Sequence, residues 1–295
     1  HDPLKLQHMQ ITGEAAELYG NHEESQLLAN LCGHNMCCDR FGWSKPTDSP
    51  QRTCHGEAPI NLYRLSEASD EDRVTFTTTL SAAKLNMQRS FVFDDHSNTV
   101  SVSTTMENAM SEQQKATRRD VEWCEHVTFG DPFLNGCTFT ANADNAYNFG
   151  GDLPKSRFRE YPLAAKLPVS VQECLSMPPM EDKSMAIEEV TSLRVEANKQ
   201  NLGWFNAKNE RLGFEMTYQW NTLVFPWIAV WTEHYGRTHA PWNGVERTRG
   251  MEFATKPFPM PALETQPSVK EQIYERDGKR MFEDRSIEFG LWPQG

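Results

Sequence analysis

Apolar and polar residues alternate along much of this chain. Val74, Phe76, Thr78 and Leu80 share one parity within Arg73–Leu80. Val100, Val102, Thr104 and Met106 do the same in a later run, with Phe91 and Phe93 between them, and Phe214, Met216, Tyr218 and Trp220 repeat the pattern. A period of two in Thr, Val and aromatic residues predicts strands, and so many of them predict an antiparallel all-β fold. Phe225, Trp227, Ala229 and Trp231 alternate as well, but Val224, Ile228 and Val230 fill the other parity. A strand over Phe225–Trp231 is therefore expected at the centre of a sheet, covered on both faces. Helical patterns are few: Glu14–Tyr19, Glu24–Leu31, and Val269–Tyr274 ahead of a final strand at Arg280–Phe289. Asn142–Leu167 and Pro178–Ser184 read as loops, the longer one placed to wall a cleft. No repeat or low-complexity linker interrupts the pattern, so residues 1–295 read as one domain.

Charge and cysteine usage narrow the function. The net charge of -12 argues against a nucleic-acid or anionic-membrane partner, because phosphate binding needs a basic patch. No apolar run is long enough to span a bilayer. Seven irregularly spaced cysteines argue against a disulfide framework and favour a cytoplasmic setting. The chain begins at His1 and not at Met, which leaves export open. Cys32, Cys37, Cys38 and Cys54 lie near His34 and His55, but Cys-x4-Cys-Cys lacks the paired knuckles of a structural zinc site. Buried free thiols are the expectation, with no metal.

The candidate chemistry is acid–base. Arg247-Thr-Arg-Gly-Met-Glu252-Phe-Ala delivers one carboxylate from an apolar strand, which then leaves through a Pro-rich turn. Desolvation would raise its pKa toward the range of a general base. His55 follows Cys54 and precedes a Gly, and His126 follows Trp-Cys-Glu125. The plainer reading makes each histidine a satisfied loop or strand-end group, and Glu252 a rim carboxylate paired with Arg247 or Arg249. Arg40, Arg247 and Arg249 could donate to sugar hydroxyls or orient Glu252, or could simply be solvated sheet-edge charge. Trp227 and Trp231 could stack on a sugar face but taken singly are better read as core, whereas Trp242, in a Pro-Trp-Asn-Gly turn, is expected to be exposed and to touch ligand. No Gly-x-Ser-x-Gly elbow is present, and Asn148-Phe-Gly-Gly-Asp is not followed by a helix signal. A glycoside-cleaving enzyme would need two facing carboxylates, which Glu125 and Glu252 could supply.

Four segments, in order, resemble the aldose 1-epimerase (galactose mutarotase-like) superfamily. Asn35–Trp43 is similar to the segment that places an Arg before the first catalytic His, here Arg40. His55-Gly-Glu-Ala resembles the His-Gly motif, and Glu125-His126-Val-Thr-Phe-Gly the segment of the second His. Gly250-Met-Glu252-Phe-Ala-Thr-Lys-Pro-Phe-Pro resembles the strand and exit turn of the catalytic Glu. The resemblance implies a supersandwich of antiparallel sheets and an enzyme that interconverts the anomers of an aldose without a cofactor. It implies catalytic Glu252, His126 and His55, with Arg40, Glu125, Trp231, Trp242 and Arg249 around a small carbohydrate. An acidic or amide partner between the second His and the Glu would fall at Asn206, Asn209 or Glu233. The alternatives are a lyase or hydrolase on the same scaffold, and a non-catalytic carbohydrate-binding protein.

Overall fold

The structure is a computed structural model that describes residues 33–42, 54–67, 69–94, 96–109, 121–149, 153–196, 199–238 and 242–259, and the backbone of 287–292. The expected helices at Glu14–Tyr19, Glu24–Leu31 and Val269–Tyr274 lie outside these residues, as do Cys32 and Trp43. The strands are β1 (His34–Asp39), β2 (Arg64–Leu65), β3 (Arg73–Leu80), β4 (Leu85–Asp94), β5 (Thr99–Asn108), β6 (Glu122–Gly130), β7 (Cys137–Ala141) and β8 (Ala143–Asn148). They continue with β9 (Ile187–Val195), β10 (Leu202–Asn209), β11 (Phe214–Asn221), β12 (Trp227–His234), β13 (Arg247–Ala254) and β14 (Ile287–Trp292). Among the described residues the one helix is α1 (Val171–Leu175), opened by a capping box in which Ser170 and Glu173 satisfy each other's backbone N–H.

Two antiparallel sheets form. One has six strands in the order β1-β6-β13-β12-β9-β8, and the other eight in the order β2-β3-β4-β5-β14-β11-β10-β7. Alternation explains the main core. Leu80, Leu85, Met87, Val102, Phe205 and Trp220 from the larger sheet meet Trp123, Val127, Leu193, Ile228, Val230, Met251 and Phe253 from the smaller one. Trp220 stacks on Phe253 with centroids 4.4 Å apart. The larger sheet turns polar residues such as Asn86 and Gln88 outward. The central strands of the smaller sheet are buried on both faces, and every residue of β13 is buried. Its outer face is covered by Phe41, Phe149 and Phe258.

The expected central strand is present as β12, but it starts at Trp227, since Pro226 lacks the N–H that a central ladder needs. Asn142–Leu167 is not all loop, because β8 occupies Ala143–Asn148. The last strand runs Ile287–Trp292, and residues 280–286 lie outside the description. Trp242 is not exposed: it keeps 4% of its surface. The described cysteines are free thiols, all buried except the half-buried Cys137. Among the described residues no helix is long and apolar enough to cross a membrane.

Candidate active site

The site lies on the outer face of the six-stranded sheet. Glu252 on β13 is the register partner of His126 on β6 and of Ala229 on β12. Register partners share a face, so carboxylate and imidazole point the same way. Gly250, two residues earlier on that face, leaves the room the carboxylate occupies: a Cβ there would sit 2.4 Å from Glu252 Oε1. Glu252 is 3% exposed, and burial pushes its carboxyl up to about 8. His126 Nε2 lies 3.3 Å from Glu252 Oε1, and its Nδ1 lies 3.0 Å from Thr128 Oγ1. Burial pulls His126 down to about 4. At pH 7 the contact joins a neutral imidazole to a mostly protonated acid; it is not an ion pair.

His55 reaches the same place from a loop. It has φ 62°, and Gly56 follows at φ 79°. A Cβ on Gly56 would stand 2.4 Å from the Cys38 carbonyl oxygen, so this close approach requires glycine. The turn brings the His55 ring to 5.8 Å from the His126 ring. Burial, then the charges of His126, Lys256 and Arg237, pull His55 down to about 3. Cys37 Sγ is 3.1 Å from His55 Nδ1, and burial raises the Cys37 thiol. In the tautomer with its proton on Nε2, His55 accepts the Cys37 S–H at Nδ1.

An aromatic wall closes one end. Trp231 packs edge-on against His126 at 6.3 Å and against Trp242 at 5.5 Å. The Arg237 guanidinium lies over both indoles, 5.2 and 5.0 Å from their centroids. Arg237 is held in turn by Glu188 at 2.8 Å, and its backbone N–H donates to Glu233 at 2.8 Å. Burial raises Glu233 to about 7.

The structure thus brings Glu252, His126, His55, Trp231 and Trp242 together. It sends two expected contacts elsewhere. Glu125 faces the space between the sheets, fully buried. There it accepts from Arg89 at 2.7 and 2.9 Å and from Trp123 Nε1 at 3.0 Å, and it lies 2.7 Å from His34 Nε2. Arg249 points to that same inner face and donates to the carbonyls of Cys174, Leu175 and Ser176 at 3.3 Å each, at the C-terminal end of α1. Neither side chain can touch a ligand beside Glu252. The rim pairing imagined for Glu252 is also overturned, since Arg247 bonds Asp131 and His234. Arg40 is buried directly after β1. Of the three partner candidates, Asn206 bonds Glu215 and Thr217 in the other sheet, and Asn209 holds the carbonyls of Phe133 and Asn135. Glu233 alone of the three is on the site's sheet.

Thr128, Gly250 and Arg237 have no role in the sequence reading, and Cys37 enters it only as a metal-ligand candidate set aside as a buried free thiol. Thr128 and Gly250 each stand two positions from a candidate residue, a same-face spacing in a strand that could have found them. Arg237 carried no such signal. Among the described residues no group of three His, Cys, Asp or Glu side chains is placed to hold a metal. The arrangement supplies a titratable carboxyl and two neutral imidazoles in one largely desolvated cluster, the equipment for moving protons at a hydroxyl and an ether oxygen.

No family model and no curated protein matches the sequence. Solved structures do match in three dimensions. One is a provisionally designated aldose 1-epimerase from Klebsiella pneumoniae, 16% identical, with a TM-score of 0.61 over 94% of this chain and 66% of that one. This chain therefore spans slightly less than two thirds of that protein's length. Another provisionally designated aldose 1-epimerase, from Escherichia coli K12, is 10% identical, with a TM-score of 0.56 over 92% and 86% of the two chains. A galactose mutarotase-like protein from Clostridium acetobutylicum is 12% identical, with a TM-score of 0.54 over 93% and 82%. At these identities the likeness speaks for architecture. The chain has the galactose mutarotase-like fold.

Proposed function

We propose that this protein interconverts the anomers of an aldose. The observation that carries the reading is the 3.3 Å approach of His126 Nε2 to the buried Glu252 Oε1, with the His55 ring beside them. Ionised Glu252 takes the proton of the anomeric hydroxyl. Its raised pKa makes the ionised form a strong base. In that form the one proton the pair shares sits on His126 Nε2, which gives it to the ring oxygen as the bond from carbon one to that oxygen breaks; the ring opens, and rotation about the bond from carbon one to carbon two presents the other carbonyl face. Reclosure reverses the two transfers. His55, with its proton on Nε2, donates to a sugar oxygen and holds the open chain. No step calls for a cofactor.

Glycoside cleavage is less well supported, because the second carboxylate it would recruit, Glu125, faces the opposite side of the sheet. The test is anomer exchange followed by saturation-transfer NMR across a panel of aldoses. Glu252→Gln keeps the shape and removes the base, so the accelerated rate should fall about 100- to 10,000-fold. An unchanged rate in that variant, or no acceleration of any aldose by the wild type, refutes the reading.

A further inference from the structure

Which nitrogen of the His126 ring holds the proton decides what its contact with Glu252 can do. A neutral imidazole has one N–H and one bare nitrogen, and the groups facing the two nitrogens select between them. Nε2 faces Glu252 Oε1 at 3.3 Å, and Nδ1 faces Thr128 Oγ1 at 3.0 Å. Burial raises the Glu252 carboxyl to about 8, so at neutral pH it is mostly an acid with an O–H to give. The acceptor within reach is a bare Nε2. The ring proton is then on Nδ1, and the Thr128 oxygen accepts it. Thr128 is placed to be a fixed acceptor. It stands two residues from His126 on the same face of β6, and its backbone N–H donates to the Gly33 carbonyl at 3.0 Å. Its branched Cβ restricts rotation of the hydroxyl. Its register partner is Gly250, whose missing side chain also leaves room for the Glu252 carboxylate. One pair of neighbouring residues thus arranges both halves of the contact.

We propose that Thr128 is a positioning residue that holds His126 in the Nδ1–H tautomer, so that Nε2 alone exchanges a proton with Glu252. The inference rests on the reading of Glu252 and His126 as the acid–base pair of anomer exchange. When the proton passes, the O–H bond at Glu252 breaks, the carboxylate keeps the electron pair, and an N–H bond forms at Nε2. The ring becomes a cation protonated on both nitrogens, in a place largely removed from water. The hydrogen bond from Nδ1–H to Thr128 Oγ1 strengthens as that charge develops. A hydroxyl suits the task because it accepts without a charge of its own. A carboxylate in its place would favour a permanently charged ring, and Nε2 would no longer be free to take the Glu252 proton. The opposite tautomer, with Thr128 donating to a bare Nδ1, turns an N–H toward the acid and leaves nothing to receive its proton.

The test reads the tautomer and the rate separately. In protein labelled with heavy nitrogen at histidine, ring correlation NMR spectra at pH 7 report which nitrogen is protonated. The His126 signals are assigned by their loss in His126→Gln. The wild type should carry the proton on Nδ1. Thr128→Val keeps the shape and removes the oxygen, and it should raise the share of rings with the proton on Nε2. In the same variant kcat for anomer exchange should fall about ten- to hundredfold, with KM changed less than about twofold, because Thr128 acts through the ring. Thr128→Ser keeps the oxygen and should recover most of the rate, which a role in packing alone would not give. If Thr128→Val melts early, Thr128→Ala takes its place. A wild-type proton on Nε2, an unchanged kcat without the hydroxyl, or a Thr128→Ser variant as slow as Thr128→Val overturns the proposal. The expected tautomers, without acceleration of any aldose by the wild type, refute the mutarotase reading and leave the positioning of His126 intact.

Discussion

Glu125 and Glu252 stand one register step apart on neighbouring strands, and each is almost wholly removed from water. Burial raises the pKa of both. At Glu125 the Arg89 guanidinium, then the hydrogen bond and charge of His34, more than reverse it and hold the carboxyl at about 2. At Glu252 nothing reverses it, and the carboxyl rises to about 8. The same side chain in the same strand pair is a permanent anion on one face and a titratable acid on the other. Burial alone does not create a catalytic carboxyl; burial without a compensating cation does.

The contrast can be broken first at Glu125. Glu125→Gln leaves Arg89 buried and uncompensated, and it should cost about 3–5 kcal/mol in denaturant unfolding. A loss under about 1 kcal/mol would mean that the pair is not the anchor described. Next comes Gly250→Ala. The new Cβ displaces the Glu252 carboxylate, and a shift of about 1 Å can cost about 100-fold in rate. Anomer exchange in this variant should drop sharply while the melting temperature changes little; wild-type exchange would sever the link between Gly250 and the carboxylate.

The pH profile sharpens the comparison. If Glu252 is the base and His126 carries the shared proton, kcat/KM should stay level between about pH 4 and 8 and fall above about 8, where the pair loses that proton. A rate that climbs about tenfold per pH unit up to pH 8 would mean that the ring-oxygen proton does not come from His126. The same titration also bears on stability. A carboxyl whose folded pKa exceeds its unfolded value favours the fold below the unfolded pKa, near 4.5, and loses that advantage as pH rises through about 8. Glu252→Gln should therefore melt like the wild type at pH 4 and higher than it at pH 9, as thermal scans at the two pH values would report. His55 and His126 run the other way. Their folded values, about 3 and 4, lie below the ordinary histidine value, so stability falls as pH drops below about 6.5.

Much of this was legible in the sequence. Alternation located β3, β5 and β11, and the ordered His, His and Glu segments marked three side chains that the fold brings onto one face. The errors at the site are errors of parity. Glu125 and His126 are consecutive in a strand and cannot both face one hollow, and Arg249 is three residues from Glu252, again the opposite face. Naming all four as contacts ignored the period of two that had identified the strands. Other features were beyond the sequence. Which face holds the hollow depends on pairing between β6 and β13, more than a hundred residues apart. The seating of Arg237 on Trp231 and Trp242 depends on a turn whose geometry Glu233 sets through backbone N–H groups.

The Arg89–Glu125 pair also has a mechanical consequence. Arg89 belongs to the eight-stranded sheet and Glu125 to the six-stranded one. Apolar layers resist being pulled apart far more than they resist sliding, because burial is indifferent to direction. A two-pronged guanidinium–carboxylate contact has one geometry. It works as a dowel that locks the layers against shear, and the next residue along β6 is His126.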